Sequence, residues 1–184
     1  MHIITGTARG RKLIAPEGNK IRPTTAMVKE AICNIIQFDI PGRRVLDLFA
    51  GTGQLGLECL SRGAASCDFV DGSKAATRLI KENLTRTGLP GGTVYQRDAI
   101  AFVRQAKQYD LILIDPPYDY SFFGRLILTI AEFDILSKNG IMMCETEQGT
   151  VLPQLDLPYK QGKEYRYGKV KIALYTRVSE GILL

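Results

Sequence analysis

Apolar and polar positions alternate along the chain in two periods, and the segments they mark follow one another as strand, turn and helix. Val45–Phe49 is a short apolar stretch interrupted by Asp47, followed by Gly51, Gly53 and Gly56 within a run that becomes amphipathic over Gln54–Ser61. This order predicts a buried strand, a tight glycine turn and a helix. Cys67–Val70 reads as the next strand, ending at Asp71, and Lys74–Arg86 as a helix with Ala75, Leu79, Ile80 and Leu84 inward. Gly88–Gly92 breaks that helix, Val94–Gln96 starts a strand that ends before Asp98, and Ile100–Gln105 gives a short helix. Tyr109–Ile114 is almost wholly apolar, as a strand covered on both faces requires, and runs into Asp115-Pro116-Pro117-Tyr118. Phe122–Asp134 predicts a helix and Gly140–Cys144 a strand, and Tyr165–Tyr167 precedes a strand-like alternation over Val170–Tyr175. Upstream, His2–Thr5 and Lys12–Ile14 suit short strands joined by the basic turn GTARGR, with the loop PEGNKIRPTT after them. A helix capped by Thr24 or Thr25 is expected from about Ala26 to Phe38, with Val28, Ala31, Ile32, Ile35 and Ile36 as its apolar face. Pro41 and Gly42 end that unit. The strand–helix repeats favour a doubly wound α/β sheet, with an N-terminal extension over 1–41 and a main domain over 42–184.

Composition narrows the picture. The chain has 184 residues, 45% of them hydrophobic, enough for a sizeable core in one domain with a small appendage. No apolar stretch approaches the length of a membrane span, and the start does not resemble a signal peptide. Cys33, Cys59, Cys67 and Cys144 form no CxxC pair and lie in apolar or mixed segments, so reduced core thiols in a cytoplasmic protein are expected. With His2 the only histidine, no metal site is expected. The net charge of +5 is unevenly placed: residues 1–45 hold eight Lys or Arg against three Asp or Glu, and residues 46–184 hold sixteen of each. Local positive charge favours a polyanionic partner. Arg9 and Arg11 bracket Gly10, a turn of little bulk that can approach a phosphate backbone closely.

Asp47, Asp71, Asp98 and Asp115 all fall at predicted carboxyl ends of strands, where ligands of open α/β sheets bind. A carboxylate at the Asp47 position would repel a pyrophosphate. A ligand carrying an ammonium or a sulfonium suits it, and S-adenosylmethionine carries both. Asp71, 24 residues after Asp47, suits a bidentate contact to ribose hydroxyls. Asp98 could accept from the adenine amine, although either aspartate could instead cap a helix. The exocyclic amine of a base is a poor nucleophile because its lone pair is delocalised. Asp115 and the Pro116 carbonyl can accept its protons, and the two prolines stiffen that loop. Tyr118 can stack on an extruded base.

GTARGRKL at Gly6–Leu13, RPTTAMVKEAICNII at Arg22–Ile36, LDLFAGTGQLGLECLSRGA at Leu46–Ala64, and DPPY carry a family resemblance. Over essentially residues 1–180 the chain resembles bacterial small-subunit ribosomal RNA guanine-N2 methyltransferases that modify guanine 966 of 16S rRNA. The resemblance implies a class I methyltransferase fold and S-adenosylmethionine bound by the loop of Asp47, Ala50, Gly51 and Gly53, by Asp71, and by Asp98 with Ala99. It implies catalytic roles for Asp115, Pro116 and Tyr118, with Pro117 and Tyr118 at the guanine. Arg9, Arg11, Arg22 and Lys29 look RNA-facing or site-bordering. The implied partner is 16S rRNA or a small-subunit precursor, met by a monomer with no obligate protein partner. Two features depart from the family's pattern: Asp71 stands where Glu is frequent, and Cys33 where a bulkier apolar residue is common. DPPY suits an adenine amine equally well, but adenine-N6 methyltransferases of DNA generally need a target-reading module, and none is visible. A protein-glutamine methyltransferase leaves the basic N-terminus unexplained, and a non-enzymatic RNA-binding assembly factor leaves the intact DPPY unexplained.

Overall fold

A computed structural model describes residues 1–15 and 26–179 of the protein. Its strands are β1 (Arg44–Leu48), β2 (Ser66–Asp71), β3 (Gly92–Gln96), β4 (Tyr109–Ile114), β5 (Leu136–Glu147), β6 (Tyr159–Tyr167) and β7 (Val170–Arg177). Its helices are α1 (Ala26–Ile35), α2 (Gln54–Ser61), α3 (Lys74–Thr87), α4 (Ala99–Val103) and α5 (Phe123–Glu132). The strands form one sheet in the order β3-β2-β1-β4-β5-β7-β6. The first five run parallel, and β7 lies antiparallel between β5 and β6. This is the class I methyltransferase architecture expected from the sequence. The order reverses at β1 and β4, which places the site between their carboxyl ends.

Alternation along the central strands fills both faces. Val45, Phe69, Leu111, Leu113 and Ile172 pack with Ile32 of α1, Leu57 of α2 and Ile80 of α3. Leu46, Leu48, Val70, Ile112 and Ile114 pack on the other face with Phe102 of α4 and with Leu126, Ile127 and Ile130 of α5. Covering on both sides is why β4 carries apolar residues at nearly every position. All four cysteines are free and buried.

The N-terminal segment is sewn onto α2. The Glu58 carboxylate is fully buried and accepts from the backbone N–H of Ile4 at 2.8 Å and of Thr5 at 2.9 Å. Arg62 donates to the same carboxylate at 3.0 Å. Ser61 accepts from Thr7 N–H at its carbonyl and from Ala8 N–H at its hydroxyl. Gly6, at φ 83°, lies so close to the Ser61 carbonyl that a Cβ would collide with it. Ile3, Ala8 and Leu13 join the same apolar cluster as β1.

Several boundaries differ from the sequence expectation. His2–Thr5 and Lys12–Ile14 meet in a single antiparallel bridge, His2 to Lys12, rather than as strands, because the donors from Ile4 onward go to Glu58 and Ser61. α1 stops at Ile35 and turns follow, since Phe38 is 91% exposed and has nothing to bury against. The caps expected at Thr24 or Thr25 and the loop PEGNKIRPTT lie outside the described residues. β5 starts at Leu136 and runs to Glu147, whereas the strand expected there covers Gly140–Cys144. Near its start the register slips, from Tyr109 opposite Leu136 to Leu111 opposite Ile141, with Asn139 at φ 59°. β6 begins at Tyr159, earlier than the aromatic pair suggests, its polar residues lying along the sheet edge.

Candidate active site

The turn after β1 is built from left-handed residues held by carboxylates. Phe49, Gly51 and Gly53 have φ of 59°, 56° and 75°. That conformation is uncommon for a phenylalanine and holds here because the surrounding bonds fix it. Gly53 N–H donates to the Ala50 carbonyl at 2.6 Å, and Ala50 N–H to the Val70 carbonyl at 3.1 Å. Asp71 at the end of β2 accepts from Gly51 N–H at 2.9 Å with one oxygen and from Ser73 N–H at 2.8 Å with the other. It thereby ties the glycine turn to the turn after β2, and each oxygen keeps a further lone pair for a ligand.

Asp47 enters the same region from below. It is 2% exposed, and its Oδ2 accepts from Gly56 N–H at 2.9 Å. Gly56 has no room for a side chain. A Cβ there would collide with the Phe69 ring and stand 2.6 Å from Cys67 Sγ and 2.9 Å from Asp47 Oδ2. Burial pushes the Asp47 carboxyl up to about 7, against the Gly56 hydrogen bond, and the charges of Asp115 and Asp71 push it further. Three carboxylates from the tips of β1, β2 and β4 therefore share one electrostatic field.

Asp115 follows β4 and is half-buried; Pro116 is buried, while Pro117 and Tyr118 are exposed. Tyr120 N–H closes the loop onto the Pro117 carbonyl at 2.9 Å. The Tyr120 ring meets Phe49 edge-on at 4.8 Å, and Phe122 lies 6.1 Å beyond it. Asp98, Ile100, Pro117, Tyr120 and Phe122 line an open cleft of about 600 Å³. Asp98 also caps α4, accepting from Ala101 N–H at 2.9 Å, and Ala99 behind it is buried. Burial, then the Asp98 charge, raises the Tyr120 phenol above its ordinary value. Phe49, Tyr120 and Phe122 were missed by sequence reasoning. The only signal was an aromatic recurrence around DPPY, which periodicity assigns to core.

The chain matches the family model described as Conserved hypothetical protein 95 over residues 1–176. It is 30% identical to Ribosomal RNA small subunit methyltransferase D of Escherichia coli K12, over 98% of this chain and 92% of that protein. This chain belongs to the ribosomal RNA small subunit methyltransferase D family. The Haemophilus influenzae methyltransferase D is 31% identical over 80% of this chain and 79% of its own length. The solved structure of yhhF from Escherichia coli superposes on this methyltransferase with a TM-score of 0.88 and 30% identity, covering 98% of this chain and 99% of that one.

Of the remaining candidates of this methyltransferase, Arg9 and Arg11 lie away from the crevice. α2 runs from the glycine turn to Ser61, and α3 from the end of β2 to Thr87, so both helices end at the amino edge of the sheet. The turn of Arg9 and Arg11 packs on those ends, where Arg11 Nη1 donates to the Thr87 carbonyl. Arg9 is exposed there. Neither arginine borders the site, and Arg11 spends a donor on a helix C-terminus, where a cation is favoured. Arg22 lies outside the described residues, and Lys29 belongs to α1 with its side chain outside them. Among the described residues no helix is long and apolar enough to cross a membrane.

Proposed function

We propose that this protein transfers a methyl group from S-adenosylmethionine to N2 of a guanine in 16S ribosomal RNA, at guanine 966, acting as a cytoplasmic monomer on the RNA or a small-subunit precursor. The reading rests on one observation: the DPPY loop leaves the tip of β4 beside the glycine turn of β1, close enough for Asp115 to act on Asp47. The relatives named for small-subunit ribosomal RNA supply the substrate class.

The crevice fits the cofactor by charge. Its carboxylates favour a cationic ligand, and the Gly51 N–H that would hold a phosphate in a dinucleotide site is already given to Asp71. Asp71 takes the ribose hydroxyls with its remaining lone pairs. Asp98, Ala99 and the cleft beside Tyr120 take the adenine, and the turn of Asp47, Ala50, Gly51 and Gly53 takes the amino-acid end. When bound, S-adenosylmethionine supplies an electrophilic methyl group.

The residues of this chain prepare the nucleophile. Asp115 and the Pro116 carbonyl accept hydrogen bonds from the two N–H groups of the guanine amine and turn its lone pair toward the methyl. As the new N–C bond forms, S-adenosylhomocysteine leaves and the amine gives up one of its protons to solvent. The Asp115 carboxylate also stabilises the positive charge that grows on nitrogen as the bond forms, an interaction stronger in the transition state than before it. Tyr118, 41% exposed, offers its ring to the extruded base, and Pro117 borders it. Nucleoside mass spectrometry of RNA methylated by the enzyme tests the assignment. N2-methylguanosine is the expected product, and N6-methyladenosine would overturn the base.

A further inference from the structure

The crevice leaves unexplained a groove of about 500 Å³ between α1 and β6, lined by Glu30, Ala31, Asn34, Ile35, Tyr165 and Tyr167. We propose that this groove holds a single-stranded RNA segment flanking the target nucleotide, stacked on Tyr165 and Tyr167. The proposal rests on the RNA reading given above.

Position supports it. Ile114, the last residue of β4, pairs with Cys144 of β5, which pairs with Ala173 of β7 and through it with Glu164 of β6. Tyr165, Arg166 and Tyr167 therefore continue beyond the level of Ile114 on the carboxyl side, by up to three residues or about 10 Å. Three strand spacings, roughly 14 Å, separate them sideways from the DPPY loop. A strand whose nucleotide reaches Asp115 passes this wall, whereas the turn of Arg9 and Arg11 stands at the other edge.

Chemistry supports it as well. Between Tyr159 and Lys171 the chain holds five Lys or Arg and one Glu, an excess hidden by the overall balance of residues 46–184. Lys171 is buried and engaged with Glu164 and the Thr150 carbonyl. Lys160, Lys163 and Lys169 are exposed and in no ion pair among the described residues, whereas Arg166, between the two tyrosines on the strand, faces the other side of the sheet. Tyr109, Tyr159 and Tyr175 donate their hydroxyls to Asp68, Asp134 and the Pro153 carbonyl. The hydroxyls of Tyr165 and Tyr167 have no such partner among the described residues, and both rings are half-exposed on one face. Lysines on an edge strand also block pairing with a second sheet, but that use requires neither the rings nor the groove. Aromatic faces for bases, an amide and a carboxylate for base edges, and cations for phosphates make up a single-strand RNA site.

The test uses the full chain and a short single-stranded oligoribonucleotide carrying iodouridine, with an RNA duplex for comparison. Photocrosslinks are expected at Tyr165 and Tyr167 with the single strand and to be weaker with the duplex. Tyr165→Ala with Tyr167→Ala should weaken single-strand binding by at least about tenfold and raise the KM for RNA, with kcat and cofactor affinity held. Tyr165→Phe with Tyr167→Phe should bind like wild type. Lys163→Glu, at an exposed position two residues before Tyr165 on the same strand, should lower affinity and flatten its salt dependence. It decides the matter if the alanine pair does not fold. Wild-type binding by a folded alanine pair, or by Lys163→Glu, overturns the groove while leaving the methyltransferase reading intact. A wild-type enzyme that neither binds nor methylates RNA overturns that reading, and the groove with it.

Discussion

Asp47 should make cofactor binding depend on pH near neutrality. Its carboxyl is buried and raised to about 7, so near pH 7 about half the unliganded molecules carry it protonated. A cationic ligand favours the carboxylate. About one molecule in eleven is ionised at pH 6 and about ten in eleven at pH 8, so affinity should tighten roughly tenfold across that interval. Stability should move the other way. The folded state holds the proton more tightly than the unfolded chain, with its ordinary value of 3.8. This contribution is complete below pH ~4 and lost as pH rises to ~7, roughly 4 kcal/mol in all. Asp110, held low chiefly by its hydrogen bonds to Arg44, loses its own contribution only on acidification below its ordinary range, so the two effects separate. Asp47→Asn keeps an acceptor for Gly56 and removes the titration. Calorimetry in buffers of different ionisation enthalpy, run on wild type and Asp47→Asn, isolates this proton from any released by the cofactor. Wild type should release about half a proton more at pH 7. Equal release by the two proteins, with wild-type affinity flat from pH 6 to 8, would refute the reasoning.

Asp115→Asn should lower the single-turnover methylation rate at least tenfold while S-adenosylmethionine affinity changes little, since the carboxylate acts on the amine; an unchanged rate would remove its role. Asp71→Ala loses the anchor of Gly51 N–H together with the proposed ribose contact, each charged hydrogen bond contributing about 1.5–3 kcal/mol. Cofactor affinity measured by calorimetry should fall tenfold or more. Glu58→Ala leaves Arg62 without its buried partner and strands the N–H groups of Ile4 and Thr5, so urea denaturation should report a loss of about 3–5 kcal/mol. A loss under 1 kcal/mol would mean the N-terminal segment is not held there.

The central sheet was legible because its strands are covered on both faces and read as apolar runs between glycine and aspartate punctuation. Asp47, Asp71, Asp98 and Asp115 could be placed together because each sits at a strand tip, and topology alone carries such tips to one edge. What sequence could not supply was how each carboxylate is spent. Asp98 is at once a helix cap and a wall of the cleft, and Asp71 serves two backbone donors. Nor could local pattern place Arg9 and Arg11, since their edge is set by the long-range bonds to Glu58 and Ser61. The hairpin of β6 and β7 was half-legible: alternation found Val170–Tyr175, but the polar outer strand owes its order to pairing rather than to burial of its own.

The four buried thiols amount to a built-in set of opening reporters. Cys33, Cys59 and Cys67 lie on the face shared with α1 and α2, and Cys144 on the face covered by α4 and α5. Burial raises the thiols of Cys59, Cys67 and Cys144, so a native molecule reacts with an alkylating reagent only when a layer lifts away. The labelling rates thus time the opening of the two layers separately. A ligand that stiffens the glycine turn should slow Cys59 and Cys67, and Cys144 would report whether the far layer stiffens with them.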